Sequence, residues 1–157
     1  MTDGRHDFGF LHGSWQIRNR RLEQRLVGNT NWQEFSAICQ KCFVTIGGMG
    51  NIDDFSGVLP DGKAVEGMSV RVFNPQTKLW SIYWADNIGC ELQPPVHGKF
   101  TNGRGAFYGT DTLHNTAIKV RFDWYDISAT NATWEQAFSP DDGATWETNW
   151  QMFFTRV

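Results

Sequence analysis

Arg71 is a side chain that could hold a charged ligand. It lies in the run Ser69-Val-Arg-Val-Phe73, and alternation along a strand places it on the opposite face from Val70 and Val72. If its face lines the inside of a barrel, the guanidinium could anchor a carboxylate through paired hydrogen bonds. If the apolar face is the buried one, Arg71 is solvated or pairs with a glutamate. Both interpretations stay open.

Arg121 and Glu135 could form an ion pair between neighbouring strands. Inside a barrel, such a pair could orient a ligand or take part in acid–base chemistry. On the outer surface it would be a salt bridge of little energetic weight. We favour the surface position.

Aromatic residues near strand ends supply further candidates. Trp84 and Asp86 share one face near the end of a strand, where a barrel would have its mouth. The ordinary explanation for them is a ring packed at the rim and a carboxylate that caps a turn. The full set of predicted ligand-binding residues is Arg71, Tyr83, Trp84, Asp86, Arg121, Trp124, Glu135 and Trp150.

Metal and redox chemistry have no strong candidates in the sequence. The histidines are dispersed and form no spaced pair; they are His6, His12, His97 and His114. A haem, which we keep as a minor alternative, would need His97 or His114 as its axial ligand. Cys39 and Cys42 lie three positions apart on one predicted strand and should therefore face opposite sides. We expect unrelated reduced thiols, no metal site and no cofactor.

Short strands must position these residues. Apolar and aromatic runs recur at regular intervals in the second half of the chain, and turn signals such as Asn102-Gly103 separate them. The pattern predicts ten strands, over residues 15–26, 32–46, 51–55, 66–74, 78–86, 91–100, 105–114, 117–127, 133–139 and 145–156. Antiparallel strands in this order favour an all-β up-and-down barrel, because closure removes the exposed edges. A ten-stranded barrel is wide enough to leave a cavity.

Two short segments complete the predicted fold. Residues 7–11 should form a turn of 3₁₀ helix that plugs one end of the barrel. The glycine-rich segment 47–50 lies between strands and lacks the Lys-Ser/Thr ending of a phosphate loop, so it predicts a sharp corner instead. At 157 residues, the chain should form a single domain over residues 1–157.

Composition excludes some classes of partner. The net charge is −3, with 14 basic and 17 acidic residues, so there is no basic field for nucleic acid. No apolar run reaches the ~18 residues of a membrane span. The polar N-terminus shows no secretory signal, so we expect a cytoplasmic protein. Most of the eight Trp, twelve Phe and three Tyr residues should fill the core, and several could line a ligand pocket.

The two ends of the chain carry a resemblance. Gly13-Ser14-Trp15 opens the first predicted strand, and Phe154-Thr155-Arg156 closes the last. This arrangement resembles the calycin signature shared by lipocalins and fatty-acid-binding proteins, in which a late arginine packs over the tryptophan at the closed end. The resemblance implies a Trp15–Arg156 contact at the barrel floor, contributing about 0.5–2 kcal/mol.

Longer stretches, at residues 8–15, 69–75, 80–86 and 139–156, resemble a family of uncharacterised bacterial calycin-like proteins. That resemblance implies a ligand-binding cavity but no known reaction. The helical lid of fatty-acid-binding proteins has no counterpart between the first two predicted strands.

The leading hypothesis is a barrel that binds a small hydrophobic or aromatic molecule, which could also be acidic. The first alternative is an enzyme with Glu135 or Asp86 as base and Arg71 as anion clamp, and it requires a lumen carboxylate with a raised pKa. Further alternatives are a haem-binding barrel and an interaction protein that packs an aromatic rim against another subunit, for example as a homodimer.

Overall fold

The computed structural model describes residues 3–157, which form eleven β-strands and two short 3₁₀ turns. The strands are β1 (Trp15–Leu22), β2 (Trp32–Cys39), β3 (Cys42–Thr45), β4 (Gly50–Val58), β5 (Ala64–Asn74), β6 (Leu79–Asp86), β7 (Val96–Thr101), β8 (Arg104–Leu113), β9 (Thr116–Tyr125), β10 (Asn131–Ser139) and β11 (Glu147–Arg156). The 3₁₀ turns cover Gly9–Leu11 and Ile46–Gly48. Met1 and Thr2, which belong to the predicted domain, lie outside the described residues.

Ten of these strands form a closed antiparallel barrel. From β4 to β11 each strand pairs with the next, β11 pairs with β1, and β1 pairs with β2. The pairing of β2 with β4 closes the ring, and β3 continues outside it along β4. The prediction of an all-β, ten-stranded antiparallel barrel with a short N-terminal 3₁₀ turn is confirmed. The described part of the chain has no helix with the length and apolar character that a membrane crossing requires.

Turn chemistry explains why the hairpins form where they do. Between β7 and β8, Asn102 and Gly103 have φ values of 52° and 79°. Positive φ at both central residues is typical of a type I′ turn, whose twist matches that of the flanking antiparallel strands. Asn-Gly adopts this turn with little strain. At the predicted corner, Gly47 and Gly48 also have positive φ, at 60° and 95°. The glycine-rich segment is therefore a sharp turn between β3 and β4.

The single strand predicted over residues 32–46 is wrong. The pairing of Ile38 with Ser56 is followed next by that of Cys42 with Asp53, so residues 39–41 lie opposite only residues 54–55. Three residues therefore lie opposite two. The extra residue forms a β-bulge, and beyond it the side chains that faced outward face inward. As a result Cys39 and Cys42 are both buried, rather than facing opposite sides.

Two other strand boundaries differ from the prediction by four residues or more. The strand expected over residues 15–26 ends at Leu22, because the chain turns away and Leu26 has a φ of 60°. The backbone N–H of Leu26 donates to Oε1 of Glu147, at 2.8 Å, instead of to a neighbouring strand. The strand expected over residues 91–100 begins only at Val96, since Pro94 and Pro95 have no N–H to donate to a ladder.

The end of the barrel nearest the N-terminus, which we call the floor, is filled with aromatic rings. Phe8 enters from the N-terminal segment and is 1% exposed. Its ring centroid lies 5.0 Å from that of Trp80, 5.1 Å from that of Phe100 and 5.6 Å from that of Phe107. Burying one such ring contributes about 1.5–3 kcal/mol, so this segment is an integral part of the core.

Trp15 and Arg156 seal the floor. The guanidinium carbon of Arg156 lies 4.1 Å from the Trp15 ring centroid, which is the contact implied by the resemblance. Arg156 also donates hydrogen bonds to the carbonyl oxygens of Phe10 and Ala129, both at 2.7 Å, and to that of His12. Gly13 has a φ of 98°, and a Cβ there would lie 2.9 Å from Nη1 of Arg156. The Gly-x-Trp spacing therefore leaves room for the arginine.

Candidate functional site

A cavity of about 340 Å³ lies above the floor, inside the barrel. At about 30 Å³ per molecule in the liquid, its volume equals that of roughly ten water molecules. Its rings come from five strands and are Phe55, Trp84, Phe122, Trp124, Trp134, Phe138, Trp150 and Phe154. We call its far end the mouth, which is formed by Arg21, Arg25, Asp86, Gln93, Pro94 and residues 111–113. The barrel interior is thus only partly filled by its own side chains.

Strand alternation builds the aromatic wall of the cavity. Trp134 and Trp150, on neighbouring strands β10 and β11, meet edge to face with ring centroids 5.7 Å apart. Phe122 packs against Trp134 at 5.0 Å, and Phe55 packs against Trp84 at 5.6 Å. Such rings offer both faces and edges to a flat apolar molecule, and the surrounding strands hold them in place.

A polar cluster lies at the bottom of the cavity. Arg71 is 3% exposed, and its Nη1 donates to Oδ2 of Asp53 at 2.7 Å and to Oδ1 of Asn51 at 2.8 Å. Its guanidinium carbon lies 4.9 Å from the ring centroid of Phe8, so the cluster rests directly on the floor. Arg71 therefore lies on the inside of the barrel, and Asp53 matches its charge. Sequence reasoning missed Asp53, although it shares a strand face with Phe55.

Arg21 lies at the mouth on the inner face of β1. Its guanidinium carbon is 4.6 Å from the ring centroid of Trp150, and its Nε is buried without a hydrogen-bond partner within residues 3–157. Burial, and then the nearby charge of Arg25, lower the pKa of Arg21, and Asp86 opposes them, so the pKa is lowered to about 10. The side chain is still charged at neutral pH, so a cation is held in a poorly solvated position.

Arg25 lines the mouth from the loop that follows β1. Burial lowers its pKa too, against the opposing charge of Glu147. In the described chain, no carboxylate lies within 4.0 Å of a side-chain nitrogen of Arg21 or Arg25. Sequence reasoning missed both residues. Arg21 has the same strand parity as Trp15 and Ile17, and that signal would have placed it inside.

Asp86 lies at the mouth as a turn cap. Its Oδ1 accepts hydrogen bonds from the backbone N–H groups of Ile88 and Gly89, at 3.0 and 2.8 Å, and its Oδ2 accepts one from Nε1 of Trp84 at 2.8 Å. Burial acts to raise the pKa of Asp86, but these hydrogen bonds outweigh it and the pKa is lowered. A carboxylate held ionised in this way is a poor general base at neutral pH.

Tyr83, Arg121 and Glu135 do not line the cavity, so their assignment to it is corrected. Each lies between two strand neighbours that face the barrel interior, and alternation turns it to the outer wall. Arg121 lies opposite Ala137, and Glu135 lies opposite Asp123. The two residues are thus diagonal neighbours, and Arg121 pairs with Asp123 instead of Glu135.

The outer residues instead have partners of their own. Nε of Arg121 donates to Oδ2 of Asp123 at 2.7 Å, and its guanidinium carbon lies 4.8 Å from the Trp146 ring centroid. Oε2 of Glu135 accepts a hydrogen bond from the hydroxyl of Tyr125 at 3.0 Å. Burial, and then this contact, raise the pKa of Tyr125 to about 12. These groups stabilise the outer wall.

The predicted residues that do line the cavity are Arg71, Trp84, Asp86, Trp124 and Trp150. The histidines proposed as haem ligands lie elsewhere. Nδ1 of His97 is 2.9 Å from the Ser81 hydroxyl on the outer wall, and His114 is exposed in the turn between β8 and β9. The described residues also contain no group of three or more His, Cys, Asp or Glu side chains that could hold a metal ion.

The two buried cysteines are poor nucleophiles. Cys39 and Cys42 are buried free thiols, and Cys90 is free and exposed. Burial raises the pKa of Cys39, and it raises that of Cys42 to about 11. A thiol reacts as its thiolate, so neither buried cysteine is activated at neutral pH.

Comparison of the sequence with protein-family models finds no match, and comparison with curated proteins finds none either. The cavity itself combines an aromatic wall, an Arg71–Asp53 ion pair at the bottom and two arginines without a carboxylate partner in the described chain at the mouth.

Proposed function

We propose that the protein binds a small hydrophobic molecule, with a flat or aromatic body, in the barrel cavity. The observation that carries this proposal is the unfilled volume of about 340 Å³ enclosed by aromatic side chains. Protein interiors are normally packed as densely as organic crystals, so space of this size inside a core calls for an occupant. The volume also falls in the range of small-molecule sites, about 300–1,000 Å³.

The energetics favour such a ligand. Apolar surface contributes about 25 cal/mol for each Å² removed from water, and edge-to-face ring contacts add about 0.5–1.5 kcal/mol each. The β-sheet already holds the wall in place, so binding orders few additional side chains. We expect a dissociation constant on the order of ten micromolar for a two-ring apolar ligand.

Fluorescence tests the proposal directly. The neutral dye N-phenyl-1-naphthylamine should bind saturably and quench emission from the cavity tryptophans, Trp84, Trp124, Trp134 and Trp150. Ser69→Phe places a ring in the cavity and should weaken dye binding by more than about tenfold. Val70→Phe, its neighbour on the outer wall, is the matched control and should leave the affinity unchanged. Failure of the dye and of a panel of apolar and aromatic ligands to bind in the micromolar range would overturn the proposal.

A homodimer is a second candidate, favoured by apolar side chains on the outer wall. Strand register places Phe43, Ile52, Val70 and Tyr83 side by side across β3 to β6, and Phe43 is 51% exposed. Among the strands of residues 3–157, the outside strand β3 pairs with β4 alone, so no described strand occupies its other edge. Sedimentation equilibrium should show dimers that Phe43→Lys disrupts; a monomer at high concentration would reject this candidate.

We also propose a cytoplasmic location. The three free cysteines are in keeping with a reducing compartment. Fractionation of the native cells, followed by immunodetection, would test it.

A further inference from the structure

We infer that the ligand carries an anionic group, and that Arg21 and Arg25 bind this group at the mouth while its apolar body lies against the aromatic wall. The inference rests on the proposed function of the cavity and extends it to the chemical class of the ligand. It also assigns the anion to the mouth rather than to Arg71.

The arginines at the two ends of the cavity differ in whether a carboxylate neutralises them. At the bottom, Asp53 neutralises Arg71 at 2.7 Å, so an incoming anion would have to compete with a buried carboxylate. At the mouth, Arg21 and Arg25 have no carboxylate within 4.0 Å in the described chain. Within that same part of the chain, Nε is a buried donor without an acceptor in both Arg21 and Arg71, so the missing carboxylate is what distinguishes the mouth from the bottom. A poorly solvated cation is stabilised when an anion reaches it.

The nearby carboxylates are already engaged. Asp86 accepts hydrogen bonds from the Trp84 side chain and from two backbone N–H groups. Glu147 accepts the backbone N–H of Leu26. These contacts hold both carboxylates on their own turns, away from the arginine nitrogens. The donors of the two arginines are therefore left for a ligand.

The contacts of Arg21 hold its guanidinium in place before a ligand binds. It stacks on the Trp150 ring, and Nε1 of Trp150 donates to the buried Oδ1 of Asn19 at 3.0 Å. A guanidinium held on a rigid ring loses little entropy when it binds an anion. Its planar array of donors matches a carboxylate or a sulfonate. Since Trp150 also belongs to the cavity wall, the anionic group must lie next to an apolar or aromatic body.

Two dyes with the same ring system separate these contributions. The probe 8-anilinonaphthalene-1-sulfonate carries a sulfonate that N-phenyl-1-naphthylamine lacks. We expect the wild-type protein to bind the sulfonate dye about tenfold more tightly than the neutral dye. Arg21→Gln and Arg25→Gln should each weaken sulfonate binding by about five- to tenfold and change neutral-dye binding by less than about twofold.

The chain offers a matched control on the same strand. Arg18 lies on the outer wall of β1, where its guanidinium carbon is 4.3 Å from the Phe153 ring centroid. Arg18→Gln removes the same charge from the protein, so it should leave both affinities unchanged. Retained neutral-dye binding shows that a variant is folded. Because Arg25 lies in a loop and not on a strand, Arg25→Gln tests the same inference with less risk to the barrel.

The outcomes distinguish the two proposals. If the neutral dye binds but the sulfonate adds nothing, and Arg21→Gln and Arg25→Gln have no effect, the anion inference is wrong and the apolar cavity stands. If neither dye binds, the proposed function fails and the inference falls with it. An equal loss of sulfonate binding in Arg18→Gln would show only a long-range charge effect and would also overturn the inference.

Discussion

Both ends of the barrel place an arginine over a tryptophan, but with different surroundings. At the floor, Arg156 lies 4.1 Å from the Trp15 ring centroid and donates to three backbone carbonyls. At the mouth, Arg21 lies 4.6 Å from the Trp150 ring centroid, and its Nε has no acceptor within residues 3–157. The same contact therefore seals one end, whereas at the other end it leaves a buried guanidinium N–H without an acceptor among the described residues.

Packing separates the two ends in the same way. Phe8, Trp80, Phe100 and Phe107 fill the floor with rings in direct contact. Above Arg71 the rings line a space instead of filling it. Substitutions at the floor should thus reduce stability, whereas those at the mouth should change binding at little cost to folding.

The largest effect should come from Trp15, which has no exposed surface. Trp15→Ala should lower the free energy of unfolding by about 3–5 kcal/mol, because it opens a cavity and removes the ring under Arg156. Urea denaturation followed by circular dichroism measures the change. Trp32→Ala, on the outer wall where Arg20 stacks on the ring at 4.9 Å, should cost about 1 kcal/mol or less. Equal losses in the two variants would contradict the special role of the floor.

Arg71→Met should have the next largest effect, a loss of about 3 kcal/mol, because it leaves Asp53 buried without its partner. The double variant Arg71→Met/Asp53→Leu removes both charges and should recover stability to within about 1 kcal/mol of the wild type. Urea titration of both variants tests the coupling. A double variant no more stable than Arg71→Met would show that the pair does not behave as a neutralised unit.

The sequence was sufficient to predict the barrel, because its signals are local. Alternating apolar residues and turn pairs such as Asn102-Gly103 act within a few positions, and together they define the strand order. The N-terminal plug also follows from local sequence, since Phe8 and Leu11 lie in a short apolar run ahead of the first strand.

The candidate site was harder to predict because it depends on which strand face points inward. The bulge at residues 39–41 reverses the parity of one strand, and no local signal marks it. Tyr83 and Glu135 were assigned to the cavity although each has the outward parity. Arg21 was overlooked because a charged residue at an inner position contradicts the usual pattern, and such contradictions are expected at functional sites.

Arg21→Met should have a smaller effect of the opposite sign. Burial lowers the pKa of Arg21 to about 10 in the folded state, so below that pH its charged form favours the unfolded chain. Removing the charge should raise the free energy of unfolding by about 1 kcal/mol, after the lost stacking on Trp150 is subtracted. Arg156→Met, the matched change at the floor, should lower it by about 2 kcal/mol. Losses of equal size in urea titrations would show that the two contacts are equivalent.

The smallest effect should appear in acid, at the loop that joins β10 to β11 beside the mouth. Hydrogen bonds from the Thr145 hydroxyl and backbone N–H, and then from the Ser139 hydroxyl, lower the pKa of Asp141 from 3.8 to about 2. A carboxyl with a lowered folded-state pKa stabilises the fold above pH 3.8, and that contribution is lost as the pH falls through about 2.

Arg156 at the floor lacks this sensitivity, because it donates to backbone carbonyls, which do not titrate. In an NMR pH titration, the amide of Thr145 should therefore shift with a midpoint near pH 2, whereas the amide of Arg156 should not. Asp141→Asn should abolish the shift at Thr145 and leave Arg156 as in the wild type. If both amides shifted together at low pH, the two ends of the barrel would be responding as one unit, and the distinction between a sealed floor and an adaptable mouth would fail.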